Sequence, residues 1–150
     1  MQKAYKYSIV YFIAFSLLLL GSSILLFEEK IGLSNAAILE YYLGNEEKFI
    51  LAKSWSVTLE IILPHLFAFG LLIMVALHFL IFTKFRASPF FKYFIYSTFL
   101  AGFLELSSPF FILQGFEIFA SIKLFSFIVL ELLLLTIFWL LLKSIFLHRK

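Results

Sequence analysis

Four apolar stretches, roughly residues 7–27, 57–83, 90–114 and 119–147, take up most of this chain and dictate its fold class. Each can cross a hydrocarbon core about 30 Å thick, which needs about 20 mostly apolar residues in a helix. Lipid offers no partner to an open backbone N–H or C=O, so segments of this kind must be helical. Composition agrees, with 63% hydrophobic and 14% charged residues and 22 Phe among 150 positions. Soluble domains carry roughly 25% charged residues. The one sizeable insertion is the segment 28–56, which leaves no room for a separate soluble catalytic domain. The later connections are short, so sequential helices are antiparallel neighbours. The chain reads as an all-α, single-domain integral membrane protein, an up-down four-helix bundle.

Charge sets the expected orientation. Lys3 and Lys6 precede the first span, Lys84, Arg86 and Lys92 flank the second loop, and Lys143, Arg149 and Lys150 close the chain. No acid stands among them. The first loop instead mixes Glu28, Glu29, Glu40, Glu46 and Glu47 with Lys30, Lys48 and Lys53, and the third carries Glu117. Positive short loops mark the cytoplasmic side. Both termini and the second loop are therefore expected in the cytoplasm, with the first and third loops outside a bacterial inner membrane. The formal charge of +3 is thus a topology signal and not a nucleic-acid patch. The first span has the basic start and apolar core of a signal peptide. Phe27-Glu28-Glu29-Lys30 follows it in place of a small-residue cleavage site, which predicts a retained helix.

Within the first loop, Ser34 to Tyr42 predicts a short capped helix that stops at Leu43-Gly44-Asn45. Tyr41, Tyr42, Phe49 and Trp55 cluster around it, and aromatics of this kind favour the membrane interface. The loop is expected to lie on the outer leaflet. Ser88-Pro89 offers the third span a natural start, and Gln114-Gly115 turns the chain into the fourth. Gly21, Ser22 and Ser23 end the first span with small residues that permit close helix approach.

Five carboxyl or imidazole groups fall inside the spans: Glu60, His65, His78, Glu105 and Glu131. Groups at membrane depth are costly and usually functional. Glu60 sits near the outer interface and reads as a solvated end residue. In the third span Thr98, Ala101, Gly102, Glu105, Ser108 and Pro109 share one helical face, and the opposite face is Phe, Leu, Ile and Tyr. That small polar stripe must face other helices. The fourth span places Glu131 with Leu124, Ile128 and Leu135. For both carboxyls the simplest reading is a neutral group hydrogen-bonded across helices; the alternative is proton transfer or ligand binding.

His65 and His78 lie thirteen residues apart on one span, a rise of roughly 20 Å. That suits two haem b groups stacked across a membrane. The rotation fits less well, leaving the imidazoles roughly 140° apart. Two bis-histidine haems also need four ligands, and the only other histidine is His148. A homodimer would double the supply. Met74 lies one turn before His78 on the same face, so a Met/His site for haem or copper(I) is the cofactor reading. A filler Met in a helix interface is its structural counterpart.

No phosphate loop, dinucleotide fingerprint or His-Glu-x-x-His zinc motif is present, and no serine is marked as an activated nucleophile. The expectation is a protein without catalytic activity. The run Tyr41-Tyr42-Leu43-Gly44-Asn45, with Lys53-Ser54-Trp55, Pro64-His65-Leu66-Phe67-Ala68-Phe69-Gly70 and His78, resembles a set of small four-span inner-membrane proteins. These occur in bacteria with anaerobic or sulfur-linked respiration, and the general type is similar to the NosB protein encoded beside some nitrous oxide reductases. The resemblance covers roughly residues 41–80. It implies an accessory role near a periplasmic redox enzyme, and it points to His65 and His78.

Three functions follow as expectations. The first is an accessory or electron-transfer subunit of a respiratory redox system, binding haem b or a metal through His65, His78 and Met74. The second is a proton-coupled carrier or proton path using Glu105, Glu131 and His65. The third is a structural assembly factor for a periplasmic redox enzyme.

Overall fold

The computed structural model describes residues 3–146, and within them the chain is entirely helical apart from turns and one isolated bridge. The elements are α1 (Lys3–Lys30), α2 (Asn35–Leu43), α3 (Trp55–Ile81), α4 (Phe91–Leu113) and α5 (Ile118–Phe146). A 3₁₀ turn, Lys84–Ala87, separates α3 from α4. All but α2 are long and apolar enough to cross a membrane. α1 and α5, of 28 and 29 residues, exceed what the hydrocarbon core requires, so their ends emerge into the headgroups.

Local chemistry sets the boundaries. Ser34 caps α2 by accepting from the Ala37 N–H at 3.1 Å, and Ser54 caps α3 by accepting from Val57 N–H at 3.3 Å. α2 ends at Gly44, whose φ of 80° is the left-handed conformation that side chains resist. A Cβ there would also sit 2.6 Å from the Ile50 carbonyl oxygen. The chain then folds back through the Asn45–Ile50 bridge, and the Lys53 N–H donates to the Tyr42 carbonyl at 2.9 Å. α2 is thereby clipped to the loop that follows it. α4 begins at Phe91, slightly later than Ser88-Pro89 suggests, because residues 88–91 close a turn of their own, with the Phe91 N–H donating to the Ser88 carbonyl at 3.1 Å and the Phe90 N–H to the Ser88 hydroxyl at 3.3 Å.

α5 is the axis of the bundle and touches each of the other four helices, while α3 and α4 also pack on each other. The expected stripe of α4 is buried in full: Thr98, Ala101, Gly102, Glu105, Ser108 and Pro109. α5 differs from expectation. Ile128 and Leu135 face outward, and the buried stripe runs Lys123, Phe127, Glu131, Leu134, Phe138 and Leu141. An apolar helix shows no amphipathic contrast, so its inner face is chosen by the neighbours it meets and not by its own pattern. Outside, rings such as Phe15, Phe67, Phe103 and Phe125 are exposed, a surface that suits lipid.

The interior forms two apolar cores. One fills the half near the chain termini, around Leu72, Ile73, Leu130, Leu134, Ile137 and Phe138. The other, at the α2 end, is built from Phe27, Ile38, Tyr42, Ile112, Ala120 and Phe127. The polar groups described next lie between these cores.

Candidate functional site

Pro109 creates the site. A proline inside a helix has no N–H to give to the carbonyl four residues earlier, and here that carbonyl belongs to Glu105. Lys123 supplies the missing donor. Its Nζ donates to the Glu105 carbonyl oxygen at 3.2 Å and to Glu105 Oε1 at 2.6 Å. Both side chains are buried. From the turn between α4 and α5, Glu105 lies roughly 12 Å along its helix and Lys123 roughly 8 Å. The lysine head thus turns inward, although a lysine near a helix end ordinarily reaches out to the interface.

Aromatic rings close over the ammonium. Phe27 of α1 and Tyr42 of α2 stand 5.8 and 6.0 Å from Lys123 Nζ, within cation–π reach. Phe27 in turn stacks on Phe127 at 4.1 Å. Burial pushes the Tyr42 phenol well above its ordinary pKa, and the negative charge of Glu105 adds to the shift.

Glu131 completes the polar layer. Its Oε1 accepts from the Ser23 hydroxyl at 2.5 Å, a contact between α1 and α5, while its Oε2 is buried with no partner. Ser23, Lys123, Glu105, Tyr42 and His65 all line one cavity of about 230 Å³ beneath α2. His65 stands at its rim and is itself exposed. The imidazole Nδ1 is 2.6 Å from the Ile61 carbonyl oxygen, so it donates there, and Nε2 has no hydrogen-bond partner among the described residues.

The residues singled out in the sequence therefore separate into two groups. Glu105, Glu131 and His65 belong to the α2 half. Met74 and His78 do not: Met74 is 62% exposed on the outer face of α3, and His78, also exposed, lines a different cavity near the termini. Glu60 is exposed near the start of α3, as a solvated end residue should be. His148 lies outside the described residues. Among the described residues no group of three or more His, Asp or Glu side chains is placed to hold a metal.

A family model described as a transmembrane helical domain matches residues 32–150. The chain belongs to that family. The matched segment contains α2 to α5, hence Glu105, Lys123, Glu131 and His65, whereas Ser23 and Phe27 come from α1, before it begins. No curated protein and no solved structure matches the chain.

Two members of the site, Lys123 and Ser23, are not singled out as site residues by the sequence; Ser23 stands there only among the small residues that end the first span. A signal for Lys123 does exist. The spacing Glu105-x-x-x-Pro109 marks a carbonyl without its helical donor, and Lys123, the lysine inside the first half of the next helix, is a donor looking for an acceptor. Ser23 carries no signal beyond being small.

Proposed function

We propose that this protein is a non-enzymatic membrane subunit that takes up protons from the α2 side and holds them at Glu131. The observation that carries this reading is the buried Glu131 carboxyl, joined through the Ser23 hydroxyl to a cavity lined by a buried Glu105–Lys123 pair. A hydroxyl between a cavity and a carboxyl both donates and accepts, so it can pass a proton along. His65, with a free Nε2 at the rim, has the chemistry to deliver one. The Glu105–Lys123 pair balances its own charge and gives the entrance a fixed field.

Beyond Glu131 the interior is mainly apolar, through Leu134, Ile137, Leu141, Ile9 and Ile13, and among the described residues its buried polar groups are the hydroxyls of Ser16 and Thr98, with no further carboxyl or imidazole. One chain therefore offers a half-path, and a partner subunit or second copy would complete it. Infrared difference spectroscopy with pH steps tests this. A carboxyl C=O band that responds to pH on the α2 side, and disappears in Glu131→Gln, is expected. A titration unchanged by Glu131→Gln overturns the reading.

The second reading, a subunit of a respiratory redox system carrying haem b or a metal, draws on one observation: His65, Met74 and His78 are all exposed on α3. A second axial ligand would have to come from a partner or another copy. Absorption spectra after cofactor-replete expression decide it, and the absence of both a Soret band and bound metal sinks it. In the third reading, structural assembly, His65→Ala and His78→Ala leave partner co-purification intact.

A further inference from the structure

At the end opposite α2, three helices enclose a cavity of about 610 Å³. Its charged lining is cationic. Lys6 of α1 and Lys84 of the 3₁₀ turn both line it, and no Asp or Glu does. Lys6 Nζ reaches only the Ile145 carbonyl, at 3.4 Å, and among the described residues neither lysine has an ion-pair partner. Acids are also remote along the chain, since no Glu occurs in residues 1–27, 61–104 or 132–150. The Tyr5 hydroxyl, on the same wall, is buried with no hydrogen-bond partner.

The remaining wall is largely aromatic, and its two hydroxyls are already engaged, Thr83 donating to the Leu80 carbonyl at 2.7 Å and Ser144 to the Leu141 carbonyl at 2.8 Å. Tyr5 meets Phe79 and Phe82 edge to face, at 5.9 and 6.5 Å between centroids. His78 lines the α3 side, its ring 5.2 Å from that of Phe82. The cavity thus presents two unpaired cations beside a wall that suits hydrocarbon, with the unpartnered Tyr5 hydroxyl buried within that wall. Its size lies in the range of ordinary ligand sites. Basic pockets between spanning helices are where acidic lipid headgroups settle.

We propose that this cavity binds the headgroup of an anionic phospholipid. The phosphodiester sits between Lys6 and Lys84, the Tyr5 hydroxyl donates to it, and an acyl chain lies along Phe79 and Phe82. This assigns a place to His78, which the polar layer beneath α2 does not use.

Native mass spectrometry of the full chain in mild detergent, titrated with phosphatidylglycerol or phosphatidylcholine, tests the assignment. Phosphatidylglycerol is expected to be retained selectively. The double variant Lys6→Gln/Lys84→Gln should lose that retention on the order of tenfold. The control Arg86→Gln/Lys92→Gln removes the same charge at the same end without touching the cavity, and should keep it. Tyr5→Phe preserves the aromatic contacts and should weaken retention a few-fold, which keeps the test valid if the double variant fails to fold. Equal binding of the two lipids overturns the proposal, as does equal loss in both double variants. Competition by millimolar inorganic phosphate would assign the site to free phosphate and overturn the lipid reading.

Discussion

Removing either Glu105 or Lys123 alone leaves the other buried and unpaired, at a cost of about 3–5 kcal/mol. Replacing both by apolar side chains of similar volume is often neutral or better for stability. Glu105→Gln and Lys123→Met should therefore each lower the melting temperature in detergent clearly, and Glu105→Leu/Lys123→Met should recover most of the loss. A double variant as unstable as the sum of its parents would show that the two residues act apart. The comparison also separates roles, because an apolar pair can restore the bundle without restoring the field at the cavity mouth. What binds the pair is readable in detail: an ammonium with three donors uses the carboxylate and the carbonyl that Pro109 leaves free. Neither group could be satisfied by lipid.

α2 is the smallest element and roofs the site. It is anchored by the Asn35 amide, which donates to Ser121 of α5 at 2.7 Å, and by Ile38 and Tyr42 packed into the core. Its far end depends on Glu40, which accepts from Lys48 Nζ at 2.8 Å. That hydrogen bond, helped by the lysine charge and the Asn45 amide, holds the Glu40 carboxyl below its ordinary pKa. The folded value is depressed, so the contribution is complete above an unfolded pKa of about 4.3 and fades as pH falls through the folded value. Amide exchange in residues 35–53, corrected for its intrinsic pH dependence, should be faster at about pH 3 than at about pH 6. Glu40→Gln should show the faster exchange at both. The expected effect is small, because the pair is solvated, and equal behaviour of the two proteins at both values would exclude it.

For the whole molecule, the loop charges predict the orientation. Absence of native cysteine makes single-cysteine labelling clean. In intact cells Glu46→Cys should react with an impermeant thiol reagent and Arg86→Cys should not, since basic loops stay in the cytoplasm. The reverse pattern would place α2 inside and turn the proton half-path toward the cytoplasm.

Much of this architecture was written in the chain. Length and apolarity determine four spanning helices, Ser34 and Gly44 delimit α2, and the polar stripe of α4 identifies its own buried face. Each is a local signal, expressed within a few turns of one helix. The face of α5 was not legible, because a helix apolar all round carries no contrast between lipid and protein interior. Nor was the meeting of Lys123 with Glu105, or of Ser23 with Glu131, across 18 and 108 residues of sequence. Tertiary structure alone decided those pairs. A buried charge must find its partner in space, and only the packing of α1, α4 and α5 determines which groups come within hydrogen-bonding distance.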